Sequence, residues 1–472
     1  MDATPHPAAP AATPVDALPA TLARLREAWR ARKPGLDQRE DDLGRLHEAL
    51  KPRLDEMAAA IAADFGHRCM HESLLADGMT ALGELDHARR RLRRWAAPQR
   101  VFPGWRLWPA RAELRREPLG VVGVISPWNY PVVLALGPLA SAIAAGNHVF
   151  LKPSEHTPRT SAFLADLLAQ VFPPERVAVA LGGPEIGRAF SALPFDHLVF
   201  TGSTRVGREV MRAAAEHLVP VTLELGGKSP AIVAPDYPLA RAARRLATGK
   251  WFNAGQTCIA PDYVLIDAAR RDALADALRD EVERRYRRDA DADYTRIVNE
   301  RESARLRGWI EEARPRSAGV ITLAAPEGER IVPPTLVLDP HDDTALMREE
   351  IFGPVLPIKS YRTLEEAIAF VAARPRPLAL YPFSDDRATV EQMLAAVLAG
   401  GVTVNDTLLH FAASALPFGG VGASGMGQLH GRAGFDALSK PLPVLWQRRW
   451  AATDLLKPPY RRLDRLIRRL VR

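Results

Sequence analysis

Between residues 120 and 226, short β-branched runs alternate with stretches of helical period. Val121 to Ile125, His148 to Leu151, Val177 to Leu181, His197 to Thr201 and Val221 to Leu225 read as strands, with helices such as Val132 to Ala145 and Arg205 to Leu218 between them. This alternation leaves few folds open, because each strand is followed by a helical crossover and the next strand then lies parallel to it. A second alternating stretch runs from Ala231 to about Val404, with helices expected at Leu239 to Phe252, Ala268 to Tyr286, Ser303 to Glu312, Leu364 to Ala373 and Ala388 to Leu398. The expected class is α/β, a doubly wound parallel-sheet domain followed by a second α/β domain.

Ligands bind such sheets beyond the carboxyl ends of the strands. The polar and Gly-rich segments fall there: Pro127-Trp-Asn-Tyr-Pro131, Lys152-Pro-Ser-Glu155, Gly202-Ser-Thr-Arg-Val-Gly207 and Glu224-Leu-Gly-Gly-Lys228. Gly202 to Gly207 follows a strand and opens a helix, so free backbone N–H groups can hold a pyrophosphate. Lys152 and Glu155 can hold the hydroxyls of an adenosine ribose, and a carboxylate there disfavours a 2′-phosphate without barring it, so NAD is expected ahead of NADP. The plain alternative for this pair is a surface ion pair.

Cys258 closes Asn253-Ala-Gly-Gln-Thr-Cys258 in the second half, while Glu224 ends the first half. A thiolate can add to a carbonyl carbon, and a carboxylate can then draw a proton from water to release the acyl group. The two would face each other across an interdomain cleft. Against this stand an inert buried cysteine and a strand-end carboxylate. Asn129 can donate to an oxyanion, or simply shape a turn. Glu350, in Glu350-Ile-Phe-Gly-Pro354, can meet a second ribose, with Phe352 against a nicotinamide.

Two further patterns are set aside. Gly420, Gly422 and Gly425 spell G-x-G-x-x-G, but no convincing strand precedes them, so they read as a turn-rich loop. His67, Cys69 and His71 lack a fourth ligand nearby and read as a polar loop or helix face, so no metal is expected.

Charge and composition exclude several classes. Of the net +7, residues Lys457 to Arg472 carry +6, which leaves +1 for the rest and argues against a nucleic-acid-binding surface. With 47% hydrophobic and 25% charged residues the chain is globular in class. Two cysteines, one suspected of chemistry, fit a reducing cytoplasm better than a disulfide framework. Residues 1–20, rich in Ala and Pro, read as a disordered tail without a signal peptide. At the other end, Tyr460, Leu463, Leu466, Ile467, Leu470 and Val471 form an apolar stripe opposite six Arg. Such a basic amphipathic helix packs on its own protein or dimer mate, or else binds anionic lipid weakly at the surface.

The ordered set PWNYP, KPSE, FTGSTRVG, ELGGK, GQTC, EEIFGP and LPFGGVGASGMG resembles the aldehyde dehydrogenase superfamily over nearly the whole chain after the first twenty residues. GQTCIAPDYV and SGMG…HGRAGFDALSKP resemble its class-3-type branch, and DFGHRCMHESLLAD with HARRRLRRW is similar to bacterial coniferyl aldehyde dehydrogenases. The resemblance implies Cys258 as nucleophile, Glu224 as general base, and Asn129 with the Cys258 backbone N–H as oxyanion hole. It implies Trp128, Lys152, Glu155, Gly202, Ser203, Gly207, Glu350 and Phe352 as cofactor residues. It also implies a cofactor domain over 21–225, a catalytic domain over 226–404, a return segment over 405–456, and a homodimer through 95–113 and the stretch after Lys440. The expected reaction is oxidation of coniferyl or a related aromatic aldehyde, with a long-chain aliphatic aldehyde or a non-catalytic binding protein as alternatives. Leu429 departs from the aromatic residue that relatives often carry before the His-Gly pair.

Overall fold

The structure, a computed structural model, describes residues 12–286, 290–451, 453, 458–462 and 464–471. Strands β3 (Val121–Ile125), β4 (His148–Lys152), β5 (Val177–Val179), β6 (His197–Thr201) and β7 (Val221–Glu224) form a parallel sheet in the order β7-β6-β3-β4-β5. All five strands expected over 120–226 are present, ending within two residues of expectation. The chain leaves β3 toward β4 and then returns to β3's other side as β6, so the switch point lies between β3 and β6. β15 (Gly425–Met426) adds to this sheet antiparallel to β7, pairing Gly425 with Glu224. The G-x-G-x-x-G segment is thus a loop, as expected, but its last glycine is also a sheet residue.

The second sheet has the order β10-β11-β12-β9-β8-β13-β14. Its strands are β8 (Pro230–Val233), β9 (Tyr263–Asp267), β10 (Gly319–Thr322), β11 (Thr335–Leu338), β12 (Val355–Tyr361), β13 (Ala379–Phe383) and β14 (Gly401–Val402), all parallel except β10. β3, β4, β8 and β13 are buried throughout, as strands covered on both faces must be. A third, separate sheet joins β1 (Gln99–Val101), β2 (Arg111–Pro118) and β16 (Ser439–Trp446). The excursion expected over 95–113 therefore runs on to Pro118, because β2 continues to pair with β16 up to Pro118 opposite Ser439.

The N-terminal expectation is corrected. A helix begins at Ala17 and runs to Ala31, and Leu18, Leu22 and Leu25 enter the core beside Val121 and Phe150. Thr13 and Leu181 also exchange hydrogen bonds of 2.8 and 2.9 Å. Leucines at helical spacing outweigh the Ala/Pro composition around them; residues 1–11 lie outside the described residues. At the far end Asp464–Val471 is helical with Arg465, Arg468 and Arg469 exposed. The side chains of Leu463, Leu466, Ile467, Leu470 and Val471, which carry the expected stripe, lie outside the described residues. No helix among the described residues is long and apolar enough to cross a membrane.

Candidate active site

The turn that presents Cys258 is built by strain. After the helix Leu239–Trp251, residues Asn253, Ala254 and Gly255 take φ of 52°, 49° and 74°, a left-handed run that reverses the chain. Non-glycine residues are rarely held there, and here buried polar groups fix them. Asn253 N–H donates to Glu72 Oε2 at 3.0 Å, and Gln256 Nε2 donates to the Asn253 and Arg296 carbonyls at 3.0 Å each. Gly255 has a second reason to be glycine: a Cβ there would lie 2.3 Å from the Gly353 carbonyl oxygen.

The PWNYP segment after β3 packs directly on this turn. Tyr130 OH and Thr257 Oγ1 are 2.5 Å apart, and Asn129 Nδ2 donates to the Gln256 carbonyl at 3.2 Å. An amide nitrogen has two hydrogens, so Asn129 keeps one beside Cys258. Beneath it lies a fully buried ion pair, Arg68 Nη2 to Asp77 Oδ2 at 3.2 Å. Arg68 Nη1 donates to the Asn129 carbonyl at 2.8 Å, and Asp77 Oδ1 accepts from the N–H groups of Val132 and Val133. Sequence patterning missed this pair, since nothing in the spacing of Arg68 and Asp77 shows that the two charges meet in the interior.

Asn129, Glu224, Cys258, Glu350 and Phe352 line one cavity of about 290 Å³. Cys258 is half-buried and lines this cavity. Burial pushes its thiol up to about 12, with the negative charges of Glu350 and Glu224 adding to the effect. Glu224 is buried at the end of β7, and neither carboxylate oxygen has a protein partner. Burial alone raises its carboxyl well above the ordinary value. A proton-holding carboxyl and a thiol in one cavity can exchange protons with water and with each other, which is the requirement for acyl transfer through sulfur.

Glu350 sits in a pinned segment. Lys228 ties down its segment by pairing with Asp262 and donating to the Leu346 and Glu349 carbonyls at 2.6 and 2.8 Å. The Glu350 carboxylate turns onto Gly226, where any Cβ would lie 1.9 Å from Oε2. Burial, followed by the nearby Asp262 charge, raises it to about 8. Phe352, at φ 50°, meets Trp128 edge-on with centroids 5.3 Å apart.

A groove of about 940 Å³ continues from the cavity over the switch point, lined by Trp128, Lys152, Glu155, Gly202 and Ser203. Lys152 Nζ donates to Glu155 Oε2 at 2.7 Å. Burial works against the Glu155 charge, but the ammonium outweighs it and keeps the carboxyl below its ordinary range. The helix Thr204–Ala215 starts at this groove, capped by Ser203 accepting from Val206 N–H, while Gly207 packs against Leu225. First-turn N–H groups at the rim, a carboxylate two strands away and an aromatic pair at the junction fit a dinucleotide laid from groove to cavity.

The rejected metal pattern gains a partner: Asp293 comes within ligand distance of Cys69 and His71, the three donor atoms lying within 4.8 Å of one another. His67 instead faces the Ala292 carbonyl at 3.0 Å.

Two open α/β sheets that share a cysteine, a carboxylate and a dinucleotide groove define a two-domain oxidoreductase that works through a thiol. Residues 6–441 match the aldehyde dehydrogenase family, and the chain belongs to it. It is 48% identical over 448 residues to a probable coniferyl aldehyde dehydrogenase of Pseudomonas aeruginosa, covering 94% of each chain. It is 44% identical to a coniferyl aldehyde dehydrogenase of Pseudomonas sp. strain HR199, again covering 94% of each. The substrate-bound Staphylococcus aureus AldH superposes with a TM-score of 0.91 at 36% identity, over 96% of this chain and 99% of that one. The NAD+ complex of a Bacillus cereus aldehyde dehydrogenase does so with 0.83 at 28% identity, over 92% and 89%. The protein is an NAD(P)-dependent aldehyde dehydrogenase.

Proposed function

We propose that the protein oxidises coniferyl aldehyde or a related aromatic aldehyde to its acid, with Cys258 as nucleophile, Glu224 as general base and Asn129 in the oxyanion hole. The observation that carries the roles is the meeting of Cys258 with an unpartnered Glu224 in one cavity. Cys258 gives its proton to water as Sγ adds to the carbonyl carbon, and the oxygen takes up negative charge toward the second Asn129 N–H and the Cys258 backbone N–H. Oxidised NAD(P), held by the residues named below, would supply the acceptor for the hydride on that carbon. The acyl group then remains on Cys258 as a thioester. Glu224, once its own proton has gone to solvent, takes a proton from water, the water oxygen adds, the carbon–sulfur bond breaks, and the acid leaves as Glu224 passes the proton to sulfur and restores the thiol. Trp128, Lys152, Glu155, Gly202, Ser203, Gly207, Glu350 and Phe352 hold the cofactor in this reading, with NAD ahead of NADP because Glu155 repels a 2′-phosphate.

The names of the Pseudomonas relatives and the aromatic lining support an aromatic substrate over a long-chain aliphatic one. A panel of cinnamyl, benzyl and long-chain aldehydes with NAD+ and NADP+ tests it, and a clear preference for long chains would overturn the aromatic reading. For the roles, Cys258→Ala abolishes oxidation, while Glu224→Gln gives a burst of NADH followed by slow turnover; full steady-state rate in either variant refutes the assignment.

The surface supports a homodimer. β16 is an edge strand with Leu442, Leu445 and Trp446 exposed, and Phe102 and Trp108, between β1 and β2 in the chain, are exposed as well. A long apolar edge invites pairing with another chain. The free Cys69 and Cys258 fit a reducing cytoplasm. The basic C-terminal helix packs on the protein or its mate in this reading; co-sedimentation with anionic vesicles, comparing the full chain with one ending at Leu456, separates that from lipid binding.

A further inference from the structure

The cavity that holds Cys258 is walled by Val133, Leu134, Phe411, Phe418 and Leu429, and Glu84 and His430 also face into it. Glu84 comes from the helix Thr80–Ala96, where its neighbours Ala81, Leu85 and Ala88 are core residues. Only 4% of Glu84 and 7% of His430 is exposed. Ser414 satisfies one side of the Glu84 carboxyl, but Oε1 has no hydrogen-bond partner, and neither has His430 Nδ1. These two atoms stand 3.9 Å apart, too far for a direct hydrogen bond.

The spacing suits one oxygen between them. An oxygen about 2.8 Å from each atom would subtend an angle of about 90° there, within reach of a hydroxyl that donates to one and accepts from the other. The imidazole is not free to turn away. It stacks on Phe418 with centroids 5.4 Å apart and 23° between planes, and meets Phe411 edge-on at 4.7 Å. Its backbone is held at φ 65° beside the paired Phe418 and Leu429, which exchange hydrogen bonds of 3.0 and 2.7 Å. Buried polar groups without partners are unfavourable, and persist where a ligand supplies the missing bond.

We propose that Glu84 and His430 are specificity-determining residues that take the hydroxyl of a phenolic aldehyde, its O–H donating to Glu84 Oε1 and its oxygen accepting from His430 Nδ1–H. The aromatic walls argue for a phenol over an aliphatic alcohol, since Phe411 and Phe418 flank the same position as the imidazole. The inference rests on the reading of this cavity as the aldehyde site. A site built to bond a hydroxyl rejects the analogue lacking it far more strongly than an apolar pocket rejects a missing methylene.

The test compares 4-hydroxycinnamaldehyde, 4-methoxycinnamaldehyde and unsubstituted cinnamaldehyde with NAD+. The full-length protein should favour the phenol in kcat/KM by at least tenfold over both others, because the ether cannot donate. Glu84→Leu and His430→Phe should each bring the three values within about threefold of one another, and Glu84→Gln, which keeps an acceptor, should fall between. Comparable kcat/KM for all three aldehydes with the unmodified protein overturns the proposal without any variant. An equal loss on all three in the variants also overturns it, since that marks a structural or proton-conducting role. Failure to oxidise any cinnamaldehyde would instead remove the aromatic reading beneath it.

Discussion

Cys258 rests as a protonated thiol in the free protein, because burial and two carboxylates push it up to about 12. Thiolate then grows about tenfold per pH unit all the way to that value. Alkylation of Cys258 by iodoacetamide, measured on a Cys69→Ala background without cofactor, is expected to rise continuously through pH 10; a plateau near pH 8 would contradict it. Glu224 obeys the opposite linkage to a salt-bridged carboxylate. Its folded value lies above its unfolded one. The folded chain therefore holds a proton that the unfolded chain has lost, and stability falls as pH rises above about 4.5. Thermal melts should show Glu224→Gln gaining on the unmodified protein between about pH 5 and pH 8, and a constant difference would argue that the carboxylate is ionised in the fold. At the cofactor end, Glu155→Gln should narrow the preference for NAD+ over NADP+. An unchanged ratio of catalytic efficiencies would mean that Glu155 does not meet the ribose.

At the scale of elements, the site depends on how a few short segments are pinned. Asp77 lies in a π-helical turn, Leu74–Met79, between two α-helical stretches. Wide turns of this kind recur at functional sites. Asp77→Ala leaves Arg68 charged and unpaired under the PWNYP segment, and should cost about 3–5 kcal/mol of stability by denaturant unfolding. Gly255→Ala faces both a left-handed φ and the Gly353 carbonyl; a loss of activity with a measurable drop in Tm is expected. Much of this level was legible in sequence. The strands of the first sheet, the limits of the expected helices and the motifs at the strand ends follow from period and turn chemistry alone, and the expected site residues other than Gly207 line the cavity or the groove. The meeting of Glu84 with His430 was not legible. Glu84 sits on a helix crowded with arginines, where its carboxylate reads as one more surface charge, and His430 needs tertiary packing to bring it near. Leu18 was hidden for the converse reason, since prolines around it suggested disorder although its spacing with Leu22 and Leu25 is helical.

For the whole molecule, the small β1-β2-β16 sheet stands out because both its edge strands, β1 and β16, are largely exposed. Light scattering at working concentration should give a dimer. Trp446→Glu, placed on the exposed edge strand, should shift it toward monomer, and an unmodified protein that is already monomeric would end the assignment. The pairing of β15 with β7 carries a different consequence, one of timing. Glu224 leaves the ribosome long before Gly425, and until then β7, whose last residue is Glu224, has β6 on one side and an open edge on the other. Chains fold N-terminal regions first during synthesis. The first sheet can therefore assemble early, but its reactive edge is sealed only when synthesis is nearly complete. A chain stopped at Pro417 should retain substantial secondary structure by circular dichroism and show no oxidation of aldehyde, so that activity arrives only once β15 has been made.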